Sequence, residues 1–205
     1  MSASLKTFSL TEYEANIGSE GLNELLDSFS CPVNPEVENF LKKKAVSSAR
    51  LSSSQTYLVC SDVTGELLGY YTLVLKSYSI NAASLNSANR RLMSRFAEED
   101  DVGNFNAAVY LIAQIGKNFA VAENERVTGD DLIASALDEF RAIKRRIGGK
   151  LVMVERESDR PKLLDFYEKN GFKSWTTRVN AKDGVQYDQM FAILSDNHHV
   201  TRSRP

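Results

Sequence analysis

The chain is poor in the residues that bind metals or cross-link a fold. Its 205 residues hold two cysteines, Cys31 and Cys60, and two histidines, His198 and His199. Two cysteines are too few for a disulfide framework or a zinc site, so both read as semi-buried thiols. The paired histidines sit in a polar tail, which leaves no basis for a histidine triad or a histidine-rich metal site. No metal is expected. No apolar run approaches the length that crosses a bilayer. Met1 to Phe8 carries one lysine and no apolar core, unlike a secretory signal. A cytoplasmic protein without a membrane partner is therefore expected. Net charge is scarce as well: 25 basic residues against 27 acidic ones leave −2. A global nucleic-acid-binding surface is not indicated, although a local basic face is allowed.

What is present is an ordinary globular mixture, 42% hydrophobic and 25% charged, enough for the core of one domain. Residues 1–20 show weak periodicity and read as a loosely attached lead-in. Leu22, Leu25, Leu26 and Phe29 recur at helical spacing. A second short helix is expected after Asn34 as cap, with Pro35 at its first position and Val37, Phe40, Leu41 and Ala45 on one face. Lys42, Lys43 and Lys44 read as its solvated side. Gln55–Ser61 and Leu67–Ser79 form a hairpin of strands around the turn at Val63–Glu66. Residues 81–106 are polar, with Arg90, Arg91 and Arg95 followed by Glu98, Glu99, Asp100 and Asp101. They read as an inserted, mobile surface segment with a short helix, suited to a lid or a partner surface.

Ala107–Phe119 reads as the next strand. The clearest helix is Thr128–Ile147, striped by Leu132, Ile133, Ala136, Leu137, Phe140, Ile143 and Ile147, and ended by Gly148-Gly149. A strand over Lys150–Glu155 follows, then a helix capped by Asp159 and ended by Gly171. Phe172–Val179 and Gln186–Leu194 close the fold around the turn at Lys182-Asp183-Gly184. Residues 1–195 thus read as one domain, and 196–205 as a disordered polar tail. The order of elements is that of an α/β layered fold with a mixed sheet.

Three segments resemble one family in register. They are the strand–loop–helix from Val109 to Leu137, the run Phe166-Tyr167-Glu168-Lys169-Asn170-Gly171-Phe172, and the strand Gly69-Tyr70-Tyr71-Thr72-Leu73. Phe-Tyr-x-x-x-Gly-Phe after a short strand looks like the late helix of the GNAT acetyltransferases. The Gly-Tyr-Tyr-Thr-Leu strand, preceded by Phe29-Ser30-Cys31 and Phe40-Leu41, is similar to a narrower group, the GNAT toxins that acetylate aminoacyl-tRNA. The resemblance spans roughly residues 22–194. It implies the GNAT fold: a mixed, mostly antiparallel central sheet with helices on both faces. It also implies acetyl-CoA as co-substrate, an amine as acceptor, often a homodimer, and in the toxin group an antitoxin protein as partner.

A pyrophosphate needs free backbone N–H groups and a positive field, which a loop feeding a helix N-terminus supplies. Arg126-Val127-Thr128-Gly129-Asp130-Asp131 occupies that place. Arg126 and Gly129 match fixed positions of the family's phosphate loop, but Asp131 stands where the family has a small residue. Thr128 and Asp131 also have capping-box spacing, the mark of an ordinary well-capped helix. Two carboxylates in the first turn oppose a pyrophosphate, an effect Lys117 and Arg126 can offset. Ile115-Gly116-Lys117 ends the preceding strand, where the resemblance implies backbone groups for the pantetheine arm and an N–H for the oxyanion. The glycine is equally read as room for a bulky neighbour. Phe166 is implied in cofactor contact.

Tyr167 is the implied catalytic acid, protonating the leaving thiolate; without the resemblance it is a packing tyrosine. No general base stands out, with Glu155 at a strand end as the nearest candidate. Three functions stay open at this level. One is an acetyltransferase on aminoacyl-tRNA, with Arg141, Lys144, Arg145 and Lys42–Lys44 as the basic candidates. The second acetylates a small amine or a protein amine, with Glu98–Asp101 lining an acceptor cleft. The third is a non-catalytic CoA-binding or interaction module, favoured by Asp131. Tyr70, Tyr71 and Tyr187 suit either a dimer interface or a buried core.

Overall fold

The computed structural model describes residues 4–181 and 183–195. The expected tail at 196–205, with both histidines, lies outside the described residues, as does Lys182 of the closing turn. Seven strands follow the hydrogen-bonding order β1-β2-β3-β4-β5-β7-β6. They are β1 (Leu5–Ser9), β2 (Gln55–Ser61), β3 (Leu67–Asn81), β4 (Asn104–Lys117), β5 (Leu151–Glu157), β6 (Lys173–Val179) and β7 (Gln186–Ile193). The pairs β1/β2, β2/β3, β5/β7 and β6/β7 are antiparallel. Among the described residues six α-helices are interspersed: α1 (Leu10–Asp27), α2 (Pro35–Lys43), α3 (Ala45–Arg50), α4 (Ser87–Met93), α5 (Gly129–Ile147) and α6 (Pro161–Lys169). The mixed, mostly antiparallel α/β fold expected from the sequence is the fold found.

The chain divides into two compact units, residues 1–76 with 110–136, and residues 77–109 with 137–205. In the first unit the opening residues are not a loose lead-in. β1 pairs with β2 from Leu5↔Ser61 to Ser9↔Tyr57. Ser9 then caps α1 in a capping box, since the Glu12 N–H donates to Ser9 Oγ and the Ser9 N–H donates to Glu12 Oε2 at 3.1 Å. Phe8, one residue before the cap, packs edge-on against Tyr13 with ring centroids 5.5 Å apart, a hydrophobic staple. Apolar periodicity is weak here because this start is held by caps and strand pairing. α1 bends at Gly18, whose φ of +76° interrupts the helical backbone. Leu10, Leu22, Leu26, Phe29, Val37, Leu41, Ala45, Leu58 and Tyr70 belong to one core cluster of this unit. Asn34 starts α2 without a side-chain cap bond, so Pro35 alone marks the entry.

In the second unit, residues 81–106 form a folded excursion that contains the expected short helix. α4 leads into a return whose Glu99 accepts from Arg90 Nη2 through both carboxylate oxygens, at 2.9 and 2.6 Å. Asp100 accepts from the Val102 and Asn104 N–H groups and from Asn106 Nδ2. Met93 and Phe105 are buried. β4 begins at Asn104, three residues earlier than its apolar pattern suggests. α6 begins at Pro161 after Arg160, which makes no side-chain cap; the cap expected at Asp159 is not formed. Pro161 already fixes a helical φ at the first position, where a missing N–H costs nothing.

Candidate functional site

The candidate cofactor residues Ile115 to Asp131 all lie in the first unit. Two glycines there bring β3, β4 and the start of α5 close together. A Cβ on Gly69 of β3 would sit 2.8 Å from the Gly116 carbonyl oxygen and 3.1 Å from both Val127 Cγ1 and Leu132 Cδ2. A Cβ on Gly116 would sit 2.4 Å from Val37 Cγ1, with the Phe29 and Tyr70 rings just beyond. The packing reading of Gly116 therefore holds: it makes room for α2. Val37 is anchored in turn by the buried Tyr70 hydroxyl, which donates to the Val37 carbonyl at 2.6 Å.

Beyond Gly116 the end of β4 is tied down by a residue that sequence reasoning passed over. Asn118 is buried, and its N–H donates to the Leu68 carbonyl. Its Oδ1 accepts from the Ser30 and Ala120 N–H groups at 2.9 and 3.0 Å. Its Nδ2 donates to the Leu67 and Ser28 carbonyls at 2.7 and 3.3 Å. One amide side chain thus joins the end of β4, the start of β3 and the link between α1 and α2. The sequence signal was faint: an asparagine directly after a strand, where turn formation is the ordinary explanation.

Arg126 folds its own loop. Its Nε donates to the Val121 carbonyl at 2.8 Å and its Nη2 to the Phe119 carbonyl at 2.9 Å, and the guanidinium lies 5.1 Å from the Phe119 ring centroid. Lys117 Nζ lies over the same ring at 5.7 Å. Val127 is buried beside Gly69. Thr128 and Asp131 form the capping box that their spacing predicts. The Thr128 N–H and hydroxyl donate to Asp131 Oδ2 at 3.2 and 2.6 Å, and the Asp131 N–H donates back to Thr128 Oγ1 at 3.1 Å. The Thr128 N–H before α5 and the Asp131 N–H in its first turn are thus occupied. The Gly129 N–H has no intramolecular acceptor among the described residues.

Phe166 and Tyr167 lie in the second unit, on α6. The Phe-Tyr-x-x-x-Gly-Phe run has a direct structural cause. Gly171 takes φ +87°, its N–H donates to the Glu168 carbonyl, and the Phe172 N–H donates to the Tyr167 carbonyl at 3.0 Å. This is a Schellman closure, and it folds Phe172 back edge-on against Tyr167, with ring centroids 5.8 Å apart. Phe166 is half-buried, 5.1 Å from the Tyr167 ring. Tyr167 is only 6% exposed, and its hydroxyl has no intramolecular hydrogen bond among the described residues. Burial pushes its phenol up to about 12.

Glu155, the nearest candidate base, is engaged. Its Oε1 accepts from Arg178 Nε and Gln189 Nε2, and its Oε2 accepts from Arg178 Nη2, all within 2.8 Å. Tyr70 and Tyr71 are fully buried, which removes them from any interface and leaves the core reading. No helix among the described residues is long and apolar enough to cross a membrane.

No family model matches the chain. Solved structures do. AtaT complexed with acetyl-methionyl-tRNAfMet is 17% identical with TM-score 0.60, covering 90% of this chain and 94% of that one. A tyrosine-to-phenylalanine mutant of KacT is 16% identical with TM-score 0.59, covering 90% and 94%. A tyrosine-to-phenylalanine mutant of the AtaT toxin, bound to the C-terminus of the antitoxin AtaR and acetyl-CoA, is 17% identical with TM-score 0.54, covering 91% and 93%. At these identities the likeness establishes the fold. The architecture is the GNAT fold that the sequence resemblance implies.

Proposed function

We propose that this chain is an N-acetyltransferase that moves acetyl from acetyl-CoA to a primary amine, with the amino group of an aminoacyl-tRNA as acceptor. The observation that carries the reading is Tyr167. Its ring is buried while its hydroxyl makes no hydrogen bond to the described residues, which leaves the O–H available to a ligand. Its raised pKa keeps the proton through the neutral range, which suits a donor and not a base. Two of the similar structures are tyrosine-to-phenylalanine mutants, and one is a complex with an acetylated aminoacyl-tRNA. An antitoxin-type protein partner belongs to the same reading.

Acetyl-CoA supplies an acetyl group activated as a thioester. The Gly129 N–H at the α5 start is the open donor for its phosphates. Ile115, Gly116 and Lys117 offer backbone along the end of β4. In the transfer, the acceptor nitrogen forms the new amide bond as the carbon–sulfur bond breaks. Tyr167 gives its proton to the departing sulfur and recovers one when the amine sheds its own to water. Glu155 takes no part, because Arg178 and Gln189 hold both of its oxygens.

One observation favours a second reading. The Asp131 carboxylate sits in the first turn of α5, closed against Thr128, which disfavours an anion there and suits an interaction module without catalysis. Calorimetric titration with acetyl-CoA, followed by acetylation assays on aminoacyl-tRNA, separates the two. Binding in the micromolar range, about −8 kcal/mol, with Tyr167→Phe lowering kcat roughly a hundredfold at unchanged affinity, supports the enzyme. Absence of binding at millimolar acetyl-CoA supports the module.

A further inference from the structure

Arg156, near the end of β5, is 5% exposed and is absent from the mechanism above. A buried guanidinium is expensive unless it is paired and hydrogen-bonded, and apolar replacements of such pairs are often no less stable. Its contacts point to a geometric task. Nη1 lies 2.9 Å from the Glu157 carbonyl, 3.4 Å from that of Ser158 and 3.0 Å from that of Arg160. Nη2 donates to Asp188 Oδ2 on β7. The other Asp188 oxygen accepts from Ser158 Oγ at 2.6 Å, and the Ser158 N–H donates to the Gln186 carbonyl at 2.9 Å. Arg156 Nε is buried with no acceptor, so the group is not arranged to satisfy every donor.

These bonds gather the whole connection from β5 to α6. Residues 157–160 have no side-chain helix cap at their end. Three of their carbonyls, those of Glu157, Ser158 and Arg160, converge on one guanidinium instead, and the chain enters α6 at Pro161 directly after. Tyr167 lies on the second turn of that helix. Its far side is fixed by the Gly171–Phe172 closure; its near side follows from this entry, where the Arg160 N–H and guanidinium also reach Glu157. We propose that Arg156, locked by Asp188, is the positioning residue that sets where α6 starts and thereby where the Tyr167 hydroxyl stands. The role in catalysis rests on the reading of Tyr167 as acid. The planar fork is what the task requires: a lysine keeps the charge but cannot span three carbonyls and a carboxylate.

The test uses the full chain with ring-labelled tyrosine, the Tyr167 signal being assigned by its loss in Tyr167→Phe. Arg156→Lys is expected to move that signal. Arg178→Lys, which disturbs the pair between exposed Arg178 on β6 and half-buried Glu155 on β5, is expected to leave it in place. In acetyl transfer, Arg156→Lys is expected to lower kcat about tenfold with KM for acetyl-CoA within about twofold. In the Tyr167→Phe background its effect is expected to shrink below about twofold. Asp188→Asn, which keeps the shape and removes the partner charge, serves if Arg156→Lys does not fold, with the same expected direction. An unmoved Tyr167 signal, or an equal loss of kcat in both backgrounds, overturns the positioning role. A wild-type chain that acetylates nothing sinks the functional reading, and the ring signal alone then decides where Arg156 acts.

Discussion

Val37 Cγ1 stands 2.4 Å from the place a Cβ would take on Gly116, so a helix side chain and a strand backbone share one space. Such contact admits no methyl group without movement.

Gly116→Ala is therefore expected to destabilise the fold by about 1–3 kcal/mol. Val37→Ala alone is expected to cost roughly 1–3 kcal/mol through lost burial. The double variant should be more stable than the sum of the two, because removing Cγ1 vacates the space that the new Cβ needs. Urea denaturation of the four proteins reads this coupling. Strict additivity would show that the strand yields and not the helix.

Asp131→Ala should act in opposite directions on stability and on anion binding. It breaks the capping box, a loss of about 1 kcal/mol. It also takes a negative charge from the first turn of α5, which should raise affinity for acetyl-CoA severalfold at low salt. Thermal melting and calorimetry on the same variant check both signs. Lower affinity for acetyl-CoA would mean that the box itself builds the site.

Stability should fall on the alkaline side. Burial raises the Cys60 thiol to about 11 and the Tyr167 phenol to about 12, above their ordinary values of 9.0 and 10.0. A folded-state pKa above the unfolded one gives stability that is full below the unfolded pKa and is lost as pH rises through the folded one. The loss should begin near pH 9 and continue toward pH 12. Cys60→Ala should flatten its lower part and Tyr167→Phe its upper part, read as denaturation midpoint against pH. The same burial predicts that Cys31 and Cys60 resist thiol reagents until the chain unfolds.

Tyr167→Phe should also relieve growth arrest if expression of the wild-type chain arrests cells. Relief with acetyl-CoA binding intact ties the arrest to transfer, and arrest by the variant would point to another activity.

Much of the frame was legible because it is local. The stripe of α5 from Leu132 to Phe140 follows helical spacing, the hairpin of β2 and β3 follows strand composition, and Gly171 ends α6 as a left-handed cap must. The Thr128–Asp131 box was readable from its spacing alone. The Ser9–Glu12 box was equally readable, yet apolar spacing around it is sparse and hid the helix it starts. Other features were not legible because their partners lie far off in the chain. Asn118 reaches Leu67 and Ser28, Gly116 gives way to Val37, and Arg156 meets Asp188. Composition near each of these residues says nothing about the partner. The sequence by itself determined most of the elements and the Thr128–Asp131 cap, through short-range periodicity and backbone preference, while the candidate acid came from the family resemblance of the Phe166–Phe172 run. Only the tertiary structure decided that Arg126 folds its own loop, that Glu155 is engaged and that Arg156 meets Asp188 and the carbonyls before α6, because a hydrogen bond is set by distance in space and not along the chain.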